Sequence, residues 1–130
     1  MTNSKMYYLD THAVIYLYGG DINRLSKKVT RIVENNQLLI SPIVILELDF
    51  LYEINRIKSG GQKIINTLSA TIGLQECNLE FIDIVKISSN ENWTRDPFDR
   101  LIVSNAIARN NSPLITQDRK IVDFYSNSIW

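Results

Sequence analysis

The chain has 130 residues with 45% hydrophobic and 22% charged side chains, which is ordinary for one soluble globular domain spanning residues 1–130. Its 14 basic and 14 acidic side chains cancel, so no overall field draws the protein towards nucleic acid, although a local basic rim is compatible with this balance. It has no run of the ~18 apolar residues that cross a bilayer and no apolar signal-peptide region. Its single cysteine, Cys77, excludes an internal disulfide, so we expect a cytoplasmic protein.

The first half of the chain alternates between strand and helix patterns. The apolar run "MYYL" predicts a strand, and "DTHAVIYLYGG" has helical spacing that ends at two glycines. Residues 21–36 predict an amphipathic helix with Asp21 as its N-cap, and "QLLIS" predicts a second strand. Pro42 then begins a long helix that continues to Gly60.

The second half continues the alternation. Residues 62–72 predict a helix and "GLQEC" a short strand, whereas residues 79–88 fit both the helical and the strand period. "DPFDRLIVSNAIARN" predicts a helix, "LITQ" a strand and "DRKIVDF" a last short helix. Strands separated by helices predict an α/β fold in which a parallel sheet carries helices on both faces.

Several acidic side chains stand where such a sheet binds ligands or where a helix begins. Asp10 follows the strand "MYYL", and Asp118 follows "LIT" with one residue between, so both belong at the carboxyl edge of the sheet, where ligands collect. Asp96 and Asp99 begin the helix "DPFDRLIV". Each of these acids is also explained as an N-cap or as a complement to the helix dipole, and taken singly that structural interpretation is favoured.

Glu47 is harder to explain by local structure. Helical spacing places it within an apolar stripe, which comprises Ile43, Leu46, Phe50, Leu51, Ile54 and Ile57. Burying an unpaired carboxylate is costly, so Glu47 needs a proton or a positive partner. That partner is either a structural salt bridge or a bound cation.

The acids predict a metal site if they converge. Two carboxylates ~4 Å apart repel by about 4 kcal/mol at an effective dielectric constant of roughly 20, so several can share a pocket as anions only around a cation. Oxygen ligands without histidine or cysteine select Mg²⁺ or Mn²⁺. Such an ion suits phosphodiester hydrolysis, because it activates a water molecule and stabilises the developing charge.

The segments around these acids resemble a known family. "YYLDTHAVIYL", "SPIVILELDFL", "WTRDPFDRLIVSNAIA" and "LITQDRKI" are similar, in this order, to the four signature blocks of the PIN domain. They are most similar to those of the bacterial ribonucleases that act as toxins in VapC-type toxin–antitoxin pairs. The resemblance implies a three-layer α/β/α sandwich with a central parallel sheet of four to five strands, a helix at residues 79–88, and endoribonuclease activity that depends on Mg²⁺ or Mn²⁺.

The resemblance also implies which residues form the site. Carried over block by block, the family's metal-site acids fall on Asp10, Glu47, Asp99 and Asp118. Asp96 matches the accompanying acid of the "DP" pair, which we take as auxiliary or capping. Thr11 and Thr116 match the small hydroxyl residues beside the first and last acids. Thr94 departs from the pattern, since many relatives have histidine there.

Substrate and partner contacts are predicted from the surroundings of these blocks. Arg95 and Arg119 flank the acids and either bind RNA phosphates or are plain surface arginines or salt-bridge partners, and Arg100 has the same alternatives. His12 is interpreted as structural, and Trp93 as packed under the "DPFD" turn rather than stacked on a base. The resemblance further implies a homodimer and an antitoxin partner whose C-terminal segment covers the acidic groove.

Two other classes of function stay open beside a metal-dependent endoribonuclease. A PIN-like module could bind RNA or a protein partner without cutting, and metal-independent RNA binding would favour it. A receiver-like switch could accept a phosphoryl group at Asp10. That class needs an acidic pair near the first strand, which this chain lacks, although Lys120 follows the last strand as such a switch requires.

Overall fold

The computed structural model describes residues 5–130, in which five strands alternate with helices. The strands are β1 (Met6–Leu9), β2 (Gln37–Ile40), β3 (Gln75–Glu76), β4 (Leu114–Ile115) and β5 (Ser128–Ile129). The helices are α1 (Thr11–Tyr18), α2 (Lys27–Asn35), α3 (Ile43–Glu53), α4 (Gly61–Ile72), α5 (Phe81–Ser88), α6 (Pro97–Ala108) and α7 (Arg119–Phe124). Among these described helices, none is long and apolar enough to span a membrane.

The strands form one parallel sheet in the order β3-β2-β1-β4-β5. Successive side chains of a strand point to opposite faces of a sheet. Tyr8 and Leu9 of β1 are both buried, as are Leu114 and Ile115 of β4, so helices cover both faces. The fold is a three-layer α/β/α sandwich, which confirms the predicted class. With β5 the sheet has five strands, the larger of the two predicted numbers.

The strand order reverses next to β1. The chain runs from β1 outwards through β2 to β3, and then returns to the other side of β1 for β4 and β5. Open α/β sheets bind ligands in the crevice beyond the carboxyl ends of the strands at such a reversal. The backbone N–H of Asp10 donates to the carbonyl oxygen of Ile115 at 3.1 Å, so the end of β1 and the end of β4 meet there.

The predicted helix over residues 21–36 begins later than expected. Asp21 does not cap a helix; its carboxylate pairs with Arg24 at 3.0 Å beside a short 3-10 turn. Leu25 is extended and buried, which turns the chain into the core before the helix starts. The hydroxyl oxygen of Ser26 then accepts the N–H of Val29 at 3.0 Å, and α2 begins at the next residue after this cap.

The long helix predicted to reach Gly60 ends at Glu53. Asn55 has a φ of 61°, a left-handed conformation that asparagine tolerates and that stops the helix. The chain then returns along α3, and the Asp49 carboxylate accepts the N–H of Gly61 at 2.7 Å where α4 begins. The turn at Asn55 therefore lets α4 pack against α3, a contact that helical spacing does not reveal.

A buried hydrogen-bond cluster ties β1 to the end of α6. The Tyr8 hydroxyl donates to the Cys77 sulfur at 2.9 Å and accepts from Asn105 and Arg109 at 3.1 Å each. Burial and the bond to Cys77 raise the pKa of Tyr8 to about 12, so its hydroxyl keeps its proton near neutral pH. Cys77 is buried, as expected, but it also serves as a polar acceptor. The cluster holds α6 in place relative to the end of β1.

Candidate functional site

One small cavity at the carboxyl edge of the sheet gathers acids from several elements. Its volume is about 150 Å³. It is lined by Asp10, Thr11, His12, Glu47, Asp96, Asp99, Ile102, Asp118 and Ile121. The structure thus brings together the four acids predicted as metal ligands, the auxiliary Asp96 and the hydroxyl residue Thr11, which are far apart in the sequence.

Asp10 occupies the first position after β1 and is buried. One of its carboxylate oxygens accepts the N–H of Ala13 at 2.9 Å, which caps α1, and the other accepts the hydroxyl of Thr116. Burial raises the pKa of Asp10, although both hydrogen bonds oppose the rise. The Thr116 oxygen also accepts the N–H of Asp118 at 3.1 Å, so Thr116 links the first acid to the last.

Glu47 enters the cavity from α3, where the hydroxyl of Thr11 donates to its carboxylate. It is only partly buried, and the predicted apolar stripe around it is wrong: Val44 and Leu48 face the core, while Leu46 is 55% exposed. The segment "IVILELDFLYE" is apolar on nearly every side, so its periodicity does not identify the buried face. Burial still raises the pKa of Glu47.

Asp96 and Asp99 take different roles at the start of α6. The Asp96 carboxylate accepts the N–H groups of Phe98 at 2.8 Å and Asp99 at 3.3 Å, so it is the N-cap. The Thr94 hydroxyl oxygen accepts the N–H of Asp96 at 3.1 Å and shapes the turn. Asp99 is the third residue of α6 and lines the cavity. Burial raises the pKa of Asp99 to about 7, and the neighbouring carboxylates add to the rise.

An aspartate can cap a helix and line the cavity at the same time. Asp10, Asp96 and Asp118 are all N-caps, and all three line the cavity. Their caps use the Oδ1 atoms. Within residues 5–130, no protein group donates a hydrogen bond to Oδ2 of Asp96 or Asp118. These oxygens stay available to a ligand.

The described part of the chain supplies no lysine or arginine to neutralise the acids. Within residues 5–130, one ion pair is formed, and it joins Arg24 to Asp21. The structural salt bridge that could have paired Glu47 is therefore not formed in this part of the chain. The Arg100 guanidinium donates to the carbonyl oxygen of Glu91 at 2.6 Å rather than to an acid. Arg95 and Arg119 are exposed outside the lining of the cavity.

The donor set fits a hard divalent cation, although the ligands are not drawn together around one point. As the side chains stand, no group of three or more histidine, cysteine, aspartate or glutamate residues within 5–130 is arranged to hold a metal ion. The hydroxyls of Thr11 and Thr116 restrain Glu47 and Asp10, and like charges favour separation. Carboxylate and hydroxyl oxygens without any thiol are nevertheless the donors that Mg²⁺ and Mn²⁺ prefer.

Some residues of the cavity differ from the interpretation of the sequence. His12, interpreted as structural, is exposed and lines the cavity. The apolar lining residues Ile102 and Ile121 were not identified in advance. Helical spacing offered a signal for both, because each lies three residues after an acid, Asp99 or Asp118, and therefore on the same helix face.

Trp93 is held in a packed position outside the acidic cavity. Its ring stacks on Phe124 of α7, with centroids 5.6 Å apart and planes at 11°, and its indole N–H donates to Glu91 at 3.3 Å. Trp93 is thus partly buried against the core, with Phe124 as its stacking partner, whereas its predicted position under the "DPFD" turn stays a prediction.

Comparison with known proteins yields one family. The model of the family described as the PIN domain matches residues 7–126. No curated protein is significantly similar to the chain in sequence.

Three solved structures share the fold at low sequence identity. A chain of VapBC2 from Rickettsia felis, bound to a DNA fragment from its promoter, is 22% identical with a TM-score of 0.64, covering 95% of this chain and 96% of that one. A chain of a toxin–antitoxin complex from Klebsiella pneumoniae is 20% identical with a TM-score of 0.65, covering 98% and 97%. A chain of VapBC-1 from nontypeable Haemophilus influenzae is 20% identical with a TM-score of 0.58, covering 91% and 93%.

Proposed function

Because the chain belongs to the PIN domain family, we propose that it is a metal-dependent endoribonuclease that hydrolyses RNA phosphodiester bonds at the acidic cavity. One observation carries the proposal. Five carboxylates line a cavity of about 150 Å³ that contains no lysine or arginine, and the crowding helps to raise the pKa of Asp99 to about 7. A cavity built in this way favours a divalent cation, since a cation offsets the repulsion between neighbouring carboxylates.

Asp10, Glu47, Asp99 and Asp118 would hold Mg²⁺ or Mn²⁺. When bound, the ion supplies an activated water molecule and stabilises the charge that develops on the phosphate. The side chains of the protein orient the site, since Thr11 and Thr116 donate to Glu47 and Asp10 and fix the directions of their free lone pairs.

The electrostatics of the rim support an RNA substrate. The acids of the cavity repel a phosphate, so we expect RNA to enter it only together with divalent ions. Arg95 directly precedes the cap residue Asp96, and Arg119 directly follows the cap residue Asp118. Both arginines are exposed and are proposed to bind the phosphates on either side of the one that is cut.

The proposed biological role is the toxin of a type II toxin–antitoxin pair, acting as a homodimer that an antitoxin inhibits. The likeness to chains of VapBC and toxin–antitoxin complexes supports this role. Exposed apolar side chains also support protein partners, since Leu46 and Phe50 of α3 lie on the surface of the single chain.

Cleavage of a mixed, structured RNA tests the nuclease directly. The reaction is run with Mg²⁺, Mn²⁺ or EDTA, for the wild-type protein, Asp99→Asn and the matched control Asp83→Asn. Asp83 is the third residue of α5, as Asp99 is of α6, but it is exposed and lies outside the cavity lining. We expect Asp99→Asn to reduce cleavage by about 100-fold or more, because it removes a metal ligand, and Asp83→Asn to cut as the wild type does.

Two results would contradict the proposal. Cleavage that persists in EDTA would exclude the metal-dependent mechanism, and equal cleavage by Asp99→Asn and Asp83→Asn would exclude the assignment of Asp99. A folded wild-type protein that binds RNA without metal ions and does not cut it would instead be a PIN-like binding module.

A further inference from the structure

A second cleft opens at the carboxyl ends of β4 and β5, outside the acidic cavity. Its volume is about 240 Å³. The side chains that matter here are those of Thr116, Gln117, Arg119, Val122, Ser128 and Trp130. Because β4 lies between β1 and β5 in the sheet, this cleft is next to the strand end that carries Asp10.

Thr116 connects the second cleft to the acidic cavity. Its hydroxyl donates to Asp10 and its oxygen accepts the N–H of Asp118, two residues of the acidic cavity, while the same residue lines the second cleft. At the surface, Asp118 of the acidic cavity and Arg119 of the cleft are exposed neighbours in the chain, so a polymer with one phosphate in the cavity can continue into the cleft.

The charged side chains of the two sites differ in sign. Five carboxylate side chains line the acidic cavity, whereas Arg119 carries the charged side chain among the described residues that line the cleft. A phosphate of the polymer is thus attracted to the cleft without a metal ion. This arrangement suits an anion that extends beyond the group held in the acidic cavity.

The cleft also offers an aromatic wall. The ring of Trp130 packs edge-on against Tyr16 of α1, with centroids 6.1 Å apart and planes at 74°. Tyr16 also contacts Arg24, whose guanidinium carbon lies over the Tyr16 ring at 5.3 Å from its centroid. Trp130 therefore packs against the hydrophobic core and also lines the cleft. Val122 extends the apolar surface, and Gln117 and Ser128 add hydrogen-bonding groups.

This mixture of surfaces matches one nucleotide. A nucleobase has an apolar face and a polar edge, so it needs both the aromatic wall and the amide and hydroxyl groups. The cleft is smaller than the ~300–1,000 Å³ of sites for drug-sized ligands, so it suits a single base with its sugar.

We propose that this cleft is the subsite for the nucleotide next to the scissile phosphate, with the base against Trp130, its edge at Gln117 and Ser128, and a phosphate on Arg119. The inference rests on the proposed ribonuclease function and adds to it the surface that selects where the RNA is cut. Gln117, Ser128 and Trp130 are then specificity-determining residues that lie outside the metal site.

Abasic substrates test the subsite. A short RNA that the wild-type protein cuts is synthesised with one base removed at each position around the cleavage site. We expect one flanking position to lower kcat/KM about tenfold in the wild type, a loss typical of one stacked base. The same abasic change should have no further effect in Trp130→Ala. The matched control Phe81→Ala removes an exposed aromatic ring of α5 and should behave as the wild type.

Binding of a fluorescein-labelled pentaribonucleotide, followed by anisotropy without metal ions, separates the subsite from the nuclease. Gln117→Ala, an exposed position, serves as a second variant in case Trp130→Ala is unfolded by circular dichroism. We expect both variants to bind more weakly than Phe81→Ala, by about tenfold for Trp130→Ala.

Each outcome decides one of the two proposals. Cleavage with abasic effects that are equal in the wild type, Trp130→Ala and Gln117→Ala overturns the subsite and leaves the nuclease intact. If the wild type cuts no RNA, the nuclease proposal fails, and binding that is weakened in Trp130→Ala but not in Phe81→Ala still supports a nucleotide cleft. Equal binding by all variants, or no binding, overturns the cleft as well.

Discussion

At the scale of single residues, one position can serve local structure and a site together. Asp96 caps α6 and Asp99 complements the start of the same helix, which is the ordinary structural explanation of the sequence "DPFD". Both side chains also line the acidic cavity. The pKa of Asp99 distinguishes the two roles. A solvent-exposed acid at the start of a helix does not have a raised pKa, whereas burial in the cavity raises the pKa of Asp99 to about 7.

The raised pKa of Asp99 predicts a pH-dependent cost of folding. An aspartate has a pKa near ~3.9 in the unfolded chain, so a folded pKa of about 7 means that its contribution to stability is fully present below about pH 4 and is lost as the pH rises through about 7. In EDTA, Asp99→Asn should therefore raise the free energy of unfolding at pH 8, by about 1–2 kcal/mol because water screens the open cavity. Urea unfolding at pH 4.5 and pH 8 measures the difference.

Asp83→Asn is the control for this measurement, since Asp83 has the same place in its own helix but no acidic neighbours in a cavity. Its effect should be small and similar at both pH values. A stabilisation by Asp99→Asn that is equal at pH 4.5 and pH 8 would contradict the electrostatic origin of the shift. Added Mg²⁺ should stabilise the wild type more than Asp99→Asn, because we propose that the folded carboxylates bind the ion.

At the scale of elements, the junction between α3 and α4 depends on close packing. Gly61 is buried at the start of α4, and an added Cβ atom there would collide with the carbonyl oxygen of Ile45. It would also lie 3.0 Å from the carboxylate of Asp49, which accepts the N–H of Gly61. The glycine therefore allows α3 and α4 to approach each other and helps to place Glu47.

Gly61→Ala should destabilise the protein by about 1–3 kcal/mol, since backbone must move to make room for the methyl group. Gly60→Ala is the matched control, because a Cβ atom there would first meet the Asp49 carboxylate at 3.6 Å, an ordinary contact, and its φ of −76° suits any residue. The free energy of unfolding in urea measures both changes. Equal free energies of unfolding for the two variants would show that α3 and α4 leave room for a methyl group at position 61.

At the scale of the whole molecule, α3 leaves an apolar face uncovered. Leu46, Phe50 and Ile54 are spaced four residues apart along this face, and all three are exposed. The Phe50 ring lies 6.1 Å from that of Phe98, which extends the surface onto α6. An apolar surface of this kind is typical of a protein–protein interface, and we expect it to join two copies of the chain.

Light scattering tests this assembly. The wild-type protein should have about twice the 15.0 kDa mass of one chain, and Phe50→Glu should have the mass of one chain, because a carboxylate is costly to bury at an interface. Tyr52→Glu is the control: Tyr52 is 49% exposed and Phe50 is 46% exposed, but two residues turn the helix by about 200° to another face. A monomeric wild type, or two variants with the same mass, would contradict an interface on this face.

The sequence predicted most elements and failed where distant contacts decide. Turn residues and caps located β1, β2, α6 and α7, whose limits agree with the patterns. The predicted start of α2 and the predicted end of α3 were wrong. Leu25 turns into the core before α2, and the chain turns at Asn55 so that α4 packs back on α3, and both events involve other parts of the chain. Strand β5 was not assigned from the pattern, since two residues carry almost no periodicity.

The sequence by itself determined the fold class and the acids that could form a site, because strand–helix alternation and the position of acids at strand ends and helix starts are local patterns. The resemblance of four segments to the PIN domain indicated the family. Only the tertiary structure decided that Asp10, Glu47, Asp99 and Asp118 line one cavity, and that Thr11 and Thr116 donate to two of them. It also placed Trp130 beside Tyr16 to form the second cleft. The reason is physical: the direction of a side chain on an all-apolar helix, and the meeting of distant strand ends, are determined by packing rather than by local sequence.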